Sequence, residues 1–262
     1  MLTFSHKVPL GEKVALIRVT GVIIDSEDVI DEIKEYAKDP SIKAIVLRVD
    51  SPGGAVAPSQ EIHEEILKVK QNKKVVVSMG TVAASGGYYI AAPADKIVAN
   101  AGTLTGSIGV IMELPNIEGL MKKIGVETQI VKSGRHKDMA SVFRSLTPEE
   151  KQILQSVLDD VHNQFINAVS EGRGIKLEDI KNIADGRIFT GRMAKDIGLV
   201  DELGNLQDAI MLAGKLTGIK GEPKVVTKKE ELSLFNLLKG QLPENLIGNV
   251  FSGIQLKYLF TP

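Results

Sequence analysis

From Val75 to Ala94 the chain reads VVVSMGTVAASGGYYIAAPA, 20 positions without a charge. A run of that length belongs either in a bilayer or in the core of a domain. Three glycines, one proline and several hydroxyls make it a poor membrane span and suit a buried strand followed by a helix. Ser85 stands where the strand gives way to the helix, directly before Gly86-Gly87. Without a Cβ, such glycines let a carbonyl group approach the hydroxyl, and the start of the following helix offers N–H donors to an anion. That is how a chain presents a nucleophile.

A second glycine turn lies upstream. Asp50-Ser51-Pro52-Gly53-Gly54 follows the apolar run 44–49 (AIVLRV) and precedes a helix opening near Pro58. Proline fixes one dihedral and the glycines free others, so backbone N–H groups can turn outward and form an oxyanion hole. Taken alone, the same five residues read first as an ordinary tight loop.

Strand-like and helix-like segments alternate along the chain. Lys13 to Ile24 reads as a buried strand and turn, and Ser26 as the cap of a helix over 28–38 with Val29, Ile30, Ile33 and Tyr36 at helical spacing. Strand 44–49, helix 58–70, strand 75–79, helix 85–92 and strand 96–99 follow, with short strands expected at 107–112 and 127–132. Thr147-Pro148-Glu149-Glu150 announces a helix over 148–171, since Thr caps, Pro suits the first turn and Glu favours the positive end. Leu199 to Leu203 and a helix over 206–216 close the core. The expected class is α/β, with a parallel sheet and crossover helices. Residues 1–221 read as a single catalytic domain. Residues 222–262 read as an apolar tail, too interrupted to span a bilayer, that docks on its own domain, on a neighbouring subunit or on a membrane face.

Composition removes several classes of function. The 262 residues include 32 basic and 33 acidic side chains, no basic block and no tryptophan, so nucleic acid is not an expected partner. No cysteine is present, which excludes thiol catalysis, disulfides and Cys-ligated zinc. No P-loop or metal-ligand spacing occurs, and neither a cofactor nor a metal is expected. Met1 to Pro9 lacks a long apolar core and a cleavage signal, so the chain is expected to carry no anchor of its own.

A serine nucleophile needs a base. The histidines are His6, His63, His136 and His162, and a triad using one of them stays open because triads follow geometry rather than order. Lysine is the stronger candidate, in the polar stretch Lys132-Ser133-Gly134-Arg135-His136-Lys137-Asp138. Lys137 would have to be neutral to accept a proton, and desolvation beside Met139 together with the charge of Arg135 would push its amine in that direction. On composition alone this stretch reads as a solvated basic loop.

Taken together, DSPGG at 50–54, MGTVAASGGYYIA at 79–91, TGSIGVI at 105–111, KSGRHKDM at 132–139 and DGRIFTGRMAKDIGLVDELG at 185–204 resemble the signal peptide peptidase A family of serine peptidases, the protease IV group. The resemblance runs in order from Val14 to about Leu216. It implies a crotonase-like, Clp-protease-like α/β superhelix, with Ser85 as nucleophile, Lys137 as general base, Gly54 as an oxyanion donor and Ser107 hydrogen-bonding the lysine amine. It implies hydrolysis of hydrophobic peptides, foremost remnant signal peptides, with small or apolar side chains in the specificity pocket and activity favouring neutral to alkaline pH. Homo-oligomeric rings and membrane association, at the outer face of the cytoplasmic membrane, are implied as well. SPGG and ASGG each occur once, so one catalytic domain is expected to supply the dyad. Two readings lie outside this family. An acyl-CoA enzyme would use the glycine turns for an enolate and leave Ser85 and Lys137 idle; a noncatalytic membrane scaffold would leave both unused.

Overall fold

The computed structural model describes residues 12–228 and 257–259. In chain order its elements are β1 (Lys13–Thr20), α1 (Glu27–Lys38), β2 (Ile42–Ser51), β3 (Gly53–Ala55), α2 (Val56–Lys70), β4 (Lys74–Ala84), α3 (Gly86–Ala91), β5 (Lys96–Ala99) and β6 (Leu104–Gly106). They continue as α4 (Glu118–Lys123), α5 (Pro148–Arg173), α6 (Leu177–Lys181), β7 (Ile188–Thr190), α7 (Gly191–Asp196), β8 (Glu202–Leu203), α8 (Leu206–Leu216), β9 (Lys224–Val226) and β10 (Lys257–Leu259).

The main sheet runs β7-β6-β4-β2-β1-β9, with β5 also beside β4 and β8 beside β5. Every pairing in it is parallel except β6 with β7. Parallel neighbours require crossovers, and α1, α2 and α3 supply them. This is the α/β class expected from the sequence. Side chains alternate along each strand. Val14, Leu16, Ala44, Val46, Val76 and Val98 therefore meet Ala209, Ile210 and Ala213 of α8 on one face. Ala15, Ile17, Ile45, Leu47, Val75 and Val77 join Ile33 and Tyr36 of α1 and Ile62 and Ile66 of α2 on the other. With both faces covered, the strands read as unbroken apolar runs. Each large aliphatic side chain so buried contributes about 1.5–3 kcal/mol.

The charge-free segment folds as β4 and α3, and no described helix is long and apolar enough to cross a membrane. β4 runs on past Met79 to Ala84 and changes neighbours at Gly80. Its first half pairs with β2 and β5, whereas Val82 to Ala84 pair with β6, Ala83 also standing opposite Ser51 of β2. Gly80 is required at the switch, because a Cβ there would lie 2.6 Å from Asp50 Cγ. Asp50 Oδ1 in turn accepts the Val82 N–H at 3.1 Å.

Other local expectations meet mixed outcomes. Thr147 Oγ1 accepts the Glu150 N–H at 3.2 Å and Glu150 Oε2 accepts the Thr147 N–H at 3.0 Å, so α5 opens with the cap that its sequence announces. Ser26 does not cap α1; its hydroxyl donates across to Glu61. The strand expected at 107–112 is displaced to β6, because the left-handed Gly106 (φ 81°) and Ser107 (φ 51°) end it. Residues 127–132 are exposed and form no strand, having no partner edge. Of the tail, β9 joins β1 and β10 pairs with β3, while the apolar stretch 234–251 lies outside the described residues.

Candidate active site

Ser85 sits between β4 and α3 with φ 53° and ψ −118° and is 1% exposed. Side chains rarely adopt this backbone, which costs about 1–3 kcal/mol and persists only where surrounding structure imposes it. Here the constraints are visible. The Ser85 N–H donates to Gly106 O at 2.8 Å, while Ser85 O accepts from the Tyr88 and Tyr89 N–H groups at 2.9 and 2.8 Å. Its side chain makes no capping bond to α3. The hydroxyl is thus held at a strained strand-to-helix turn without being spent on the helix.

The Gly53-Gly54 turn lies against this serine. Ser51 Oγ accepts the Gly53 N–H at 3.1 Å, Gly53 O accepts from Ile23 N–H at 2.9 Å, and Ala55 N–H donates to Ile23 O at 2.7 Å. With both flanking residues committed to Ile23, Gly54 directs its own N–H to the opposite side of β3. Both glycines are obligatory. A Cβ on Gly54 would come within 2.0 Å of Ile23 O, and one on Gly53 within 2.6 Å of Gly86 N. Gly86 begins α3, where an N–H has no acceptor within the helix. A Cβ on Gly86 would lie 3.1 Å from Gly54 N. The two glycine turns, far apart in sequence, therefore bring the backbones of Gly53, Gly54 and Gly86 together beside Ser85.

Ser107 belongs to the same cluster. It follows Gly106, the acceptor of the Ser85 N–H, and is 8% exposed with its own N–H donating to Arg187 O at 2.8 Å. Ser85, Ser107 and Ala140 are the non-glycine residues with positive φ among those described. Two of these three are predicted site serines.

Lys137 is not brought to them within the chain. It is exposed, and the hydrogen bond it makes is from its backbone N–H to Gly134 O at 3.1 Å, within its own segment. Its segment is pinned to the start of α5. Arg144 donates to Glu150 Oε1 and Oε2 at 2.6 and 2.8 Å and to Asp138 Oδ2 at 2.8 Å, and Lys132 reaches Asp138 as well. The Arg144 hydrogen bonds hold the Glu150 carboxyl down to about 2 and the Asp138 carboxyl well below its ordinary range. These paired charges line a surface cleft of about 620 Å³ that does not include Ser85. No residue from 109 to 149 is buried, and Leu120, Ile124, Val126, Ile130 and Val131 lie exposed.

Gly86 and Tyr89 were not singled out in the sequence as site residues. The signal for Gly86 was its position directly after Ser85 at a helix start. Tyr89 lies one helical turn further on, and its contact with distant residues had no local signature.

Known proteins carry the same pattern. The family model for peptidase family S49 matches residues 67–220, more than half of the chain, and that for Clp protease matches residues 21–105. "Putative protease slr0021" of Synechocystis sp. is 44% identical over 219 residues, covering 83% of this chain and 79% of its own. "Putative signal peptide peptidase SppA" of Enterococcus faecium is 37% identical over 76% of this chain and 62% of its own. "Protease 4" of Salmonella typhi is 37% identical over 92% of this chain but only 42% of its own length. The mostly parallel sheet is accordingly of the Clp-protease-like kind, and with the strained serine and its glycine turns the chain belongs to peptidase family S49, the serine-type peptidases that include the signal peptide peptidase A proteins.

Proposed function

We propose that Ser85 is the nucleophile of an endopeptidase acting on extended, hydrophobic peptides, with remnant signal peptides as the foremost class. The observation that supports this reading is the close packing of the Gly53-Gly54 turn against Gly86 at the strained Ser85 turn, which would let the Gly54 and Gly86 N–H groups serve together as oxyanion donors. Attack by Ser85 Oγ on a peptide carbonyl carbon places negative charge on the carbonyl oxygen, where two fixed donors stabilise it more than they stabilise the neutral substrate. The amine leaves with a proton, and water then hydrolyses the acyl-enzyme. The signal peptide class rests on the name of the Enterococcus relative.

Lys137 is the proposed general base and Ser107 the group that positions its amine. A lysine accepts a proton only after losing its own, which requires burial. Lys137 is exposed in a single chain, on a segment whose apolar side chains are uncovered. Packing of copies of the chain against that segment would cover them and desolvate the lysine, so a homo-oligomer is part of the proposal. Association with the outer face of the cytoplasmic membrane, where spent signal peptides are released, is part of it too.

The test is hydrolysis of an apolar signal-type peptide across pH by the wild type, Ser85→Ala and Lys137→Ala. Loss of turnover in both variants, with wild-type activity rising toward alkaline pH, supports the reading. Full activity in Lys137→Ala moves the base elsewhere.

A further inference from the structure

The residues on both sides of Lys137 are held by the first turn of α5. Stretch 132–138 carries Lys132, Arg135, His136 and Lys137. Lys132 pairs with Asp138, Arg135 pairs with Glu149, and His136 Nε2 lies 3.6 Å from Glu149 Oε1. Among the described residues, Lys137 is the one of these four without a carboxylate partner. A base needs that freedom, because a carboxylate beside the amine would hold it as ammonium.

Asp138, the next residue, is gripped twice by Arg144. Nε donates to Asp138 Oδ2 at 2.8 Å and Nη2 donates to the Asp138 backbone O at 3.1 Å. The other donors reach Ser145 O at 3.1 Å and the two Glu150 oxygens at 2.8 and 2.6 Å. All five guanidinium N–H groups are thus committed, an arrangement that a lysine cannot reproduce. Ala140, the third non-glycine residue with positive φ (65°), lies inside this grip, where the Ser141 N–H donates to Asp138 O at 3.0 Å. Such a backbone persists only where its surroundings impose it. Glu150, 3% exposed, belongs to the capping box of α5. Further along, Phe165 of α5 meets Tyr89 of α3 edge-on at 5.0 Å, and α3 starts directly after Ser85. The residue next to Lys137 is therefore anchored to the body that carries the Ser85 turn.

We propose that Arg144 is a positioning residue for Lys137: by clamping Asp138 to Glu150 it fixes the backbone that carries the amine and occupies carboxylates that would otherwise compete for it. The proposal rests on Lys137 being the general base. Displacing a reacting group by about 1 Å costs about 100-fold in rate, so a loose base segment is expensive even when substrate still binds.

The experiment uses full-length wild type, Asp138→Ala, Arg144→Lys and Lys137→Ala. It measures hydrolysis of an apolar signal-type peptide, melting temperature and sedimentation coefficient. Asp138→Ala is the decisive variant, since it leaves Arg144 on Glu150 and strands no buried carboxylate. Loss of a carboxylate beside Lys137 would by charge alone help the amine shed its proton, so a fall in activity reports geometry. The proposal expects kcat about 10- to 100-fold lower in Asp138→Ala and in Arg144→Lys, with KM within about twofold of wild type and sedimentation unchanged. Unchanged kcat in Asp138→Ala, a loss carried by KM, or dissociation of the variant overturns it. As a second measurement, the rate at which a fluorophosphonate labels Ser85 is followed with and without the Lys137→Ala change. If Arg144 acts through Lys137, Asp138→Ala slows labelling about tenfold or more when Lys137 is present and adds nothing in Lys137→Ala. Equal slowing in both backgrounds means a merely structural role and contradicts the proposal. If Lys137→Ala hydrolyses peptide as the wild type does, the assignment of the base fails instead.

Discussion

The amide of Ser85 is tied to the carbonyl of Gly106 at 2.8 Å, and Ser107 follows immediately, so that the two site serines share one hydrogen-bonded turn. Ser85 and Ser107 both hold left-handed φ, at 53° and 51°. Position in this site is set by backbone strain and backbone hydrogen bonds. Side-chain chemistry enters only after that geometry is fixed.

If the Gly54 N–H is the proposed oxyanion donor, Gly54→Ala should reduce kcat by at least about 100-fold, because a Cβ there meets Ile23 O and displaces it. The melting temperature should fall with it. Wild-type kcat in this variant would mean that Gly54 N–H does not face the reacting carbonyl.

Thr147→Ala removes the side-chain half of the α5 capping box and should cost about 1 kcal/mol in the denaturant midpoint. Thr147→Ser should restore most of it. The comparison separates the cap from any effect of volume.

Glu150 titrates near 2 rather than 4.5 because Arg144 grips its carboxylate. A depressed carboxylate adds stability that is complete above its unfolded pKa and is lost as pH falls through the folded one. The attachment of segment 132–146 to α5 should therefore loosen between about pH 5 and pH 2. Hydrogen exchange in this segment should show that dependence in the wild type and lose it in Arg144→Met.

His63 has the opposite charge type but the same direction in pH. Burial, aided by the nearby charge of Lys70, lowers its pKa from 6.5 to about 4, so the folded state favours the neutral ring. Unfolded chains bind the proton first on acidification, and global stability should decline as pH falls from 6.5 toward 4. Denaturant midpoints measured across that range should decline in the wild type and less so in His63→Phe.

Much of this architecture was legible in the sequence because the determinants are local. The apolar runs of β1, β2 and β5 had no alternative to burial on both faces, and the Thr147-Pro148-Glu149-Glu150 cap fixed the start of α5 to the residue. The Ser85 turn could be read from glycines following an apolar run. What escaped depends on contacts between distant residues. β6 and β7 are short and gain their identity only by pairing, β6 with β4 and β7 with β6, and the strand expected at 127–132 had the right composition but no edge to join. That Gly86 would meet Gly54, or that Tyr258 would enter a ring of Tyr89 and Phe165, follows from the stacking of α3 and β3. Lys137 could be singled out by type, yet its setting depends on what packs against a segment without a buried residue of its own.

The central claim is that Ser85 is the nucleophile, and mass mapping after treatment with a fluorophosphonate tests it most directly. The account predicts one adduct, on the peptide that contains Ser85, with peptide hydrolysis lost in proportion and no adduct in Ser85→Ala. An adduct on another residue, or hydrolysis undiminished in Ser85→Ala, would contradict it.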